Sequence, residues 1–239
     1  MKGNKKDLIL DICFPPRCAI CDKTVSSGEK HICEKCRSKL KYIEGPTCYR
    51  CGKEVDYEEE EYCSDCKRRE RTFDKGYPVF RYTSPISDSL MSFKYFGRQE
   101  YAVYYAEAIK DRFGEELKSL KCDALVPVPI NKKKYSTRGY NQAELIAVRL
   151  GRLLDIPVVT NLLVRTSNTD PQKGLNDAER EKNLLGAFSI KKEHPEIKSV
   201  ILVDDIYTSG ATIECCTKVL RSSGVERIYF TTVAIGVSN

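Results

Sequence analysis

Two adjacent carboxylates and a small polar turn lie between an aliphatic run and a helical pattern near the carboxyl end of the chain. The aliphatic residues 200–203 have the composition of a buried parallel strand. Asp204 and Asp205 follow them, and the turn consists of Thr208, Ser209, Gly210, Ala211 and Thr212. In open α/β sheets, ligands bind where a parallel strand ends and a helix begins. The backbone amides of such a turn bind phosphate, and the acids hold sugar hydroxyls or hydrated Mg²⁺. The segment therefore predicts a phosphosugar site.

This string resembles the PRPP-binding motif of the type I phosphoribosyltransferases, where PRPP is 5-phosphoribosyl 1-diphosphate. The resemblance implies that Asp204 and Asp205 are the catalytic acids that contact the ribose hydroxyls, and that residues 208–212 hold the 5-phosphate. The alternative is an ordinary strand, turn and helix with exposed acids. The chain contains neither G-x-x-x-x-G-K-[ST] nor G-x-G-x-x-G, so a P-loop or a dinucleotide-binding fold has no support.

Eight cysteines in the first third of the chain form four C-x-x-C pairs. They are Cys18 and Cys21, Cys33 and Cys36, Cys48 and Cys51, and Cys63 and Cys66. The second set of four is the first displaced by thirty residues, which indicates an internal repeat. Paired C-x-x-C units supply the four thiolates of a closed structural zinc site, so the sequence predicts two zinc ions. Pairing within each repeat is favoured, cross-braced pairing stays open, and disulfides or redox chemistry are the alternatives.

The cysteine repeat contains few large apolar side chains and cannot bury much core. Structural zinc contributes about 10–16 kcal/mol per site in model peptides, so metal binding is expected to supply most of the folding energy there. We therefore divide the chain into a double zinc ribbon, residues 1–72, and a second domain, residues 73–239. A chelator is expected to unfold the first without the second.

Composition limits the classes of protein that this chain can represent. Lys and Arg total 40 against 34 acids, which gives a formal charge of +6. Eight thiolates subtract eight charges and two Zn²⁺ ions restore four, which leaves +2 and weakens the argument for nucleic acid. No apolar run approaches 18 residues, so no membrane insertion is expected. Without a recognisable signal peptide, we expect a cytoplasmic protein with reduced or zinc-bound thiols.

Strand and helix patterns alternate beyond the cysteine repeat. Strands are predicted at residues 79–82, 124–128, 200–203 and 228–235, and helices at residues 85–96, 101–113, 142–154 and 211–221. This order is typical of a mostly parallel sheet with helices on both faces. The predicted fold class is therefore α/β, with the sheet and helices of a type I phosphoribosyltransferase preceded by tandem zinc ribbons.

A second polar cluster follows the predicted strand at residues 124–128. Val128, Pro129, Lys132 and Arg138 lie where the resemblance implies the loop that binds the diphosphate of PRPP. Amides and cations there would stabilise the departing diphosphate. A proline-stiffened surface loop is the alternative.

A long polar stretch separates the two halves of the second domain. Its lid candidates are Arg165, Gln172 and Arg180. Long polar segments inside a compact domain are often lids, and phosphoribosyl transfer passes through an oxocarbenium-like cation that water would trap. The alternative is a flexible surface segment that does not act as a lid.

Taken in order, the cysteine repeat, residues 126–129, residues 138–142 and the Asp204 segment resemble the ComF family, which is linked to bacterial DNA uptake. The double set of C-x-x-C pairs departs from relatives that carry one site. The resemblance implies a transferase that uses Mg²⁺ and PRPP. The other hypothesis is a PRPP-sensing module that binds single-stranded DNA or a DNA-translocase protein. The tyrosines near the ribbons, which are Tyr42, Tyr49, Tyr57 and Tyr62, stack on bases in that second hypothesis or else pack the ribbon cores.

Overall fold

The computed structural model describes residues 15–25, 31–166, 186–191, 194 and 196–237. Its central element is a four-stranded sheet in the order β1-β6-β5-β2, in which every neighbouring pair is parallel. A separate antiparallel pair joins β3 to β4. The strands are β1 (Lys75–Arg81), β2 (Ala124–Pro127), β3 (Leu163–Arg165), β4 (Phe188–Ile190), β5 (Ser199–Tyr207) and β6 (Arg227–Ile235). The predicted α/β class is confirmed.

Seven helices lie within the described residues. They are α1 (Glu34–Arg37), α2 (Ser64–Arg68), α3 (Ile86–Tyr95), α4 (Tyr101–Ser119), α5 (Lys132–Arg138), α6 (Gln142–Leu154) and α7 (Ala211–Ser222). The apolar faces of α4 and α6 are buried, and the two helices pack against each other and the sheet. Every helix in the described ranges is too short or too polar to span a lipid bilayer.

Strand β5 extends beyond the end of its neighbour β2. The β2 ladder ends at the pair Pro127 and Val203, whereas the β6 ladder continues to the pair Tyr207 and Ile235. The sequence prediction ended this strand at residue 203, which is wrong, because β5 continues beside β6 for four further residues, 204–207. Asp204 and Asp205 therefore lie inside β5, on the part that has no partner in β2. We call this part, residues 204–207, the overhang of β5.

The cysteine repeat packs directly on the sheet. Backbone hydrogen bonds from Ile43 N to Val79 O and from Arg81 N to Lys41 O join it to the edge of β1. The first ribbon belongs to the same buried cluster as α3 and α4, and the second belongs to the cluster that contains Phe73 and Phe230 of β6. The two parts of the chain therefore share hydrophobic cores, and their division at residue 72 stays a prediction.

Helix α5 was not predicted from the sequence. Its residues Lys-Lys-Lys-Tyr-Ser-Thr-Arg carry no apolar periodicity, and none of them is buried. The Asn131 side chain begins the helix by accepting a hydrogen bond from Lys134 N at 2.8 Å, and Gly139 ends it with φ of +78°. End caps therefore define this helix.

Candidate functional site

A polar cleft of about 390 Å³ opens at the carboxyl ends of β2 and β5. The overhang of β5 forms its floor, and α3, α5, α6, β3 and the start of α7 form its walls. Its lining residues are Tyr82, Met91, Lys94, Tyr95, Val128, Pro129, Ile130, Lys134, Arg138, Asn141, Gln142, Ala143, Arg165, Asp204, Asp205, Ile206, Thr208 and Thr212. The cleft therefore brings together two segments that lie about seventy residues apart in the sequence.

The two acids of β5 are neighbours with different surroundings. The Asp204 Oδ1 accepts a hydrogen bond from Asp205 N at 2.8 Å. Burial, together with the negative charge of Asp205, raises the pKa of Asp204 to about 7. Two carboxylates so close together repel each other, and a bound divalent cation or a set of sugar hydroxyls relieves that repulsion.

Lys94 forms an ion pair with one of these acids. Its Nζ lies 3.0 Å from Oδ2 of Asp205. Burial opposes the charge of Lys94, but the attraction of Asp205 and Asp204 outweighs it and raises the pKa of Lys94. The sequence analysis missed this residue because Lys94 comes from α3, and only the three-dimensional packing brings it to β5.

The segment between β2 and α6 contributes further cations to the cleft. Arg138 lies over the ring of Tyr95 at 4.9 Å and donates a hydrogen bond to Oε1 of Gln142 at 3.0 Å. Asn141 begins α6 and donates a hydrogen bond to the Val128 carbonyl at 3.0 Å, which fixes the chain after β2. Lys134 lines the cleft, whereas Lys132 is exposed on α5 and is absent from the lining.

The turn between β5 and α7 contains a glycine at a position that leaves no room for a side chain. Gly210 adopts φ of +78°, and a Cβ added there would lie 2.2 Å from Oη of Tyr207. Only glycine fits this position without strain. Thr208 and Thr212 line the cleft, and Ser209, Gly210 and Ala211 complete the turn into the first residues of α7.

One of the three lid candidates falls within the described residues. Arg165 lies at the end of β3, lines the cleft and packs over the ring of Phe188 at 5.3 Å. Gln172 and Arg180 lie outside the described residues.

The eight paired cysteines form two tetrads, one within each repeat. Cys18, Cys21, Cys33 and Cys36 place their sulfur atoms within 4.8 Å of one another, and so do Cys48, Cys51, Cys63 and Cys66. All eight are free thiols, so no disulfide joins them. The Cys21–Cys33 and Cys51–Cys63 sulfur distances are 3.9 and 3.6 Å. A tetrahedron with Zn–S bonds of about 2.3 Å has edges of about 3.8 Å, so both tetrads fit zinc.

The comparisons with known proteins cover both parts of the chain. A family model described as a double zinc ribbon domain matches residues 9–67. The chain is 36% identical over 169 residues to competence protein F of Haemophilus influenzae, which covers 67% of this chain and 72% of that protein. It is 29% identical over 227 residues to competence protein ComFC of Bacillus subtilis, and the match covers 87% of this chain and 89% of that protein.

Two more distant matches extend the comparison. DNA utilization protein YhgH of Escherichia coli is 30% identical over 107 residues, which is 44% of this chain and 46% of that protein. A purine phosphoribosyltransferase from Pyrococcus horikoshii aligns with a TM-score of 0.34 and 18% identity, over 58% of this chain and 73% of that chain. A TM-score this low carries no argument about function.

Proposed function

The chain belongs to the ComF family, and we propose that its cleft binds the Mg²⁺ complex of PRPP in a protein that acts in DNA uptake. One observation carries the proposal: the overhang of β5 places Asp204 and Asp205 in the same cleft as Thr208 and Thr212 of the glycine-containing turn. A phosphosugar needs an amide-lined turn and a pair of acids close together, and this cleft offers both. The names of two relatives, competence protein F and competence protein ComFC, support the part of the proposal that concerns DNA uptake.

Each part of PRPP has a matching group in the cleft. Residues 208–212 hold the 5-phosphate through backbone amides at the start of α7, and Asp204 and Asp205 hold the ribose hydroxyls. Arg138 and Lys134 face the diphosphate, together with the backbone after Val128. Mg²⁺ supplies the positive charge that neutralises the diphosphate oxygens, and the two acids and sugar hydroxyls are oxygen ligands of the kind it prefers.

The chemistry that fits this cleft is displacement of diphosphate from the anomeric carbon by a nitrogen nucleophile. The described lining contains no histidine, and its cations suit stabilisation of the leaving group. The lid candidates stay Arg165, Gln172 and Arg180, of which only Arg165 lies within the described residues. A reducing cytoplasm suits a chain with eight unpaired metal-binding thiols, so we place the protein there.

The experiment is pyrophosphate release from PRPP and Mg²⁺ by the zinc-loaded protein, with free bases and single-stranded DNA as acceptors. Calorimetry of PRPP binding accompanies it. The Asp204→Asn/Asp205→Asn variant is expected to lose binding, and Asp111→Asn, an exposed acid on α4, is the matched control. Release that depends on the two acids establishes a transferase. Binding without release establishes a sensor, and wild-type affinity in the double variant contradicts the site.

A second function, binding of single-stranded DNA, is favoured by the surface beside the cleft. Tyr95, Phe96 and Tyr135 are 56%, 73% and 51% exposed, although they are large apolar side chains. Tyr135 belongs to α5, and Arg138 of α5 stacks on Tyr95, the residue that precedes Phe96. We call residues 94–96 and 132–138 the basic rim. Aromatic side chains among cations are the usual platform for unpaired bases, and a DNA-translocase protein is the expected protein partner in uptake.

The aromatic residues of the ribbons support this function less well. Tyr42 packs on Phe80 of β1 with ring centroids 4.7 Å apart, so it contacts the sheet. Tyr49, Tyr57 and Tyr62 are exposed instead. They surround the acidic residues 58–61, whose charge repels a phosphate backbone.

A further inference from the structure

We propose that Arg71 is a positioning residue for the turn at residues 208–212, and that the second cysteine tetrad supports the turn through Arg71 and Tyr207. The inference rests on the proposed function only for the identity of the bound ligand. The mechanical link between tetrad and turn is a separate claim about this chain.

Arg71 lies buried between the second ribbon and the turn. It is 5% exposed, and its Nη2 donates a hydrogen bond of 2.9 Å to the carbonyl of Ser209. Cys66 of the second tetrad, Glu214 and Tyr207 surround the guanidinium closely enough to interact with it electrostatically. One side chain therefore lies between a zinc ligand and the turn.

The hydrogen bond to Ser209 sets the direction of the next amide. In a trans peptide unit the C=O of one residue and the N–H of the following residue point in opposite directions. Because Arg71 holds the Ser209 carbonyl, the N–H of Gly210 points away from Arg71. A guanidinium is suited to this task because its donors are rigid and permanently charged.

The backbone around Arg71 is itself fixed to the ribbon and to α7. Arg50, which lies between Cys48 and Cys51 of the second tetrad, donates hydrogen bonds to the carbonyls of Arg71 and Phe73 at 3.3 and 2.8 Å. On the other side, Thr72 donates to the carboxylate of Glu214 from its N and Oγ1 at 3.1 and 2.9 Å. Glu214 is only 1% exposed. Arg71 thus has little freedom to move.

Tyr207 forms a second connection between the tetrad and the turn. Its ring stacks on Phe230 at 4.9 Å, in the same buried cluster as Cys48, Cys51 and Cys63. Its hydroxyl is buried without a hydrogen-bond partner among the described residues, and it lies directly against Gly210. The ribbon also approaches β1 closely, since a Cβ on Gly76 would lie 2.8 Å from the Cys51 carbonyl.

The test compares Arg71→Ala with Arg71→Lys and with Arg68→Ala, where Arg68 is an exposed arginine at the end of α2. Hydrogen–deuterium exchange of a peptide that covers residues 207–214 is measured without ligand. We expect exchange to rise about tenfold in Arg71→Ala, to be partly restored by Arg71→Lys, and to be unchanged in Arg68→Ala. Zinc content should stay at two ions per chain. Unchanged exchange in Arg71→Ala overturns the proposal.

Binding of two small probes separates positioning from general loss of structure. Ribose 5-phosphate carries the group that the turn holds, and inorganic pyrophosphate carries only the group that faces Arg138. We expect Arg71→Ala to lose about tenfold in affinity for ribose 5-phosphate and to keep its affinity for pyrophosphate. Equal loss of both probes overturns the proposal. If wild type binds neither probe, the proposed function fails, and the exchange measurement still decides the role of Arg71.

The tetrads are compared by Cys66→Ser in the second and Cys21→Ser in the first. Cys66→Ser is expected to raise exchange in residues 207–214 more than Cys21→Ser does, because the second tetrad packs with Tyr207. Equal exchange in the two variants contradicts the role of the second tetrad.

Discussion

The ammonium of Lys94 lies 3.0 Å from the Asp205 carboxylate, and their side chains are only 17% and 11% exposed. The pair joins α3 to the overhang of β5, which no local sequence pattern connects. It also provides one positive charge beside two acids, so the negative charge of the acids is partly neutralised. A substrate cation would have to neutralise only the remaining charge.

Removal of Lys94 should leave a buried acid without its partner. We expect Lys94→Met to lower the free energy of unfolding by about 3–5 kcal/mol, the usual cost of breaking a buried ion pair from one side. Urea denaturation at pH 8 measures it. The Lys94→Met/Asp205→Asn variant should recover most of the loss, because neither charge then remains unpaired. A double variant no more stable than Lys94→Met would contradict this account.

The affinity for PRPP should depend on pH through Asp204. Because its pKa is raised to about 7, Asp204 holds a proton below that pH and binds Mg²⁺ and ribose weakly. Calorimetry at pH 6, 7 and 8 should show PRPP binding that tightens with rising pH and levels off above 7. The Asp204→Asn variant provides the control, since any slope that remains there belongs to the phosphates of the ligand.

The raised pKa of Asp204 also affects the stability of the fold, which should fall as the pH rises. An unfolded Asp titrates near 3.9, so the folded chain holds the extra proton between about pH 4 and pH 7. The stability contributed by this proton is fully present below about pH 4 and is lost as the pH rises through 7. We therefore expect Asp204→Asn to melt a few degrees above wild type at pH 8 and to lose that advantage near pH 4. A melting temperature of Asp204→Asn equal to that of wild type at pH 8 would be evidence against a destabilising carboxylate at position 204.

Gly210 should tolerate no side chain. Alanine there combines a left-handed backbone with a Cβ that lies 2.2 Å from the Tyr207 hydroxyl, so the turn must move. We expect Gly210→Ala to cost about 1–3 kcal/mol in stability and to abolish measurable PRPP binding. Gly186→Ala is the control, because it has positive φ with open space around its Cβ position. If the two variants behave alike, the contact with Tyr207 is unimportant.

Zinc removal should affect more than the ribbons. Ser89 of α3 hydrogen-bonds the Ala19 carbonyl, and Asp22 of the first ribbon pairs with Arg98 and accepts a hydrogen bond from Tyr101 at 2.9 Å. Metal analysis should give two zinc ions per chain. A chelator should lower the melting temperature of the whole chain in one transition, followed by circular dichroism. Two separate transitions would restore the independent module that sequence composition favoured.

The sequence predicted what local chemistry determines. Cysteine spacing located both tetrads, and hydrophobic periodicity gave α6 its observed bounds, residues 142–154. The sequence did not predict α5, whose ends are defined by Asn131 and Gly139. Nor did it predict the overhang of β5, which depends on the length of β6. Lys94 and Arg71 reach the site only through packing between distant segments, so spacing along the chain contains no signal for them.

The basic rim should bind single-stranded DNA through its exposed aromatic residues. We expect Tyr135→Ala and Phe96→Ala each to reduce the affinity for an oligo-dT probe by about tenfold, since stacking contributes about 1–3 kcal/mol per base. Fluorescence anisotropy at two salt concentrations measures it, and affinity should fall as salt rises. Tyr57→Ala is the matched control, because Tyr57 is 68% exposed beside the acidic residues of the second ribbon. A loss in Tyr57→Ala with none in Tyr135→Ala would move the DNA site from the rim to the ribbons.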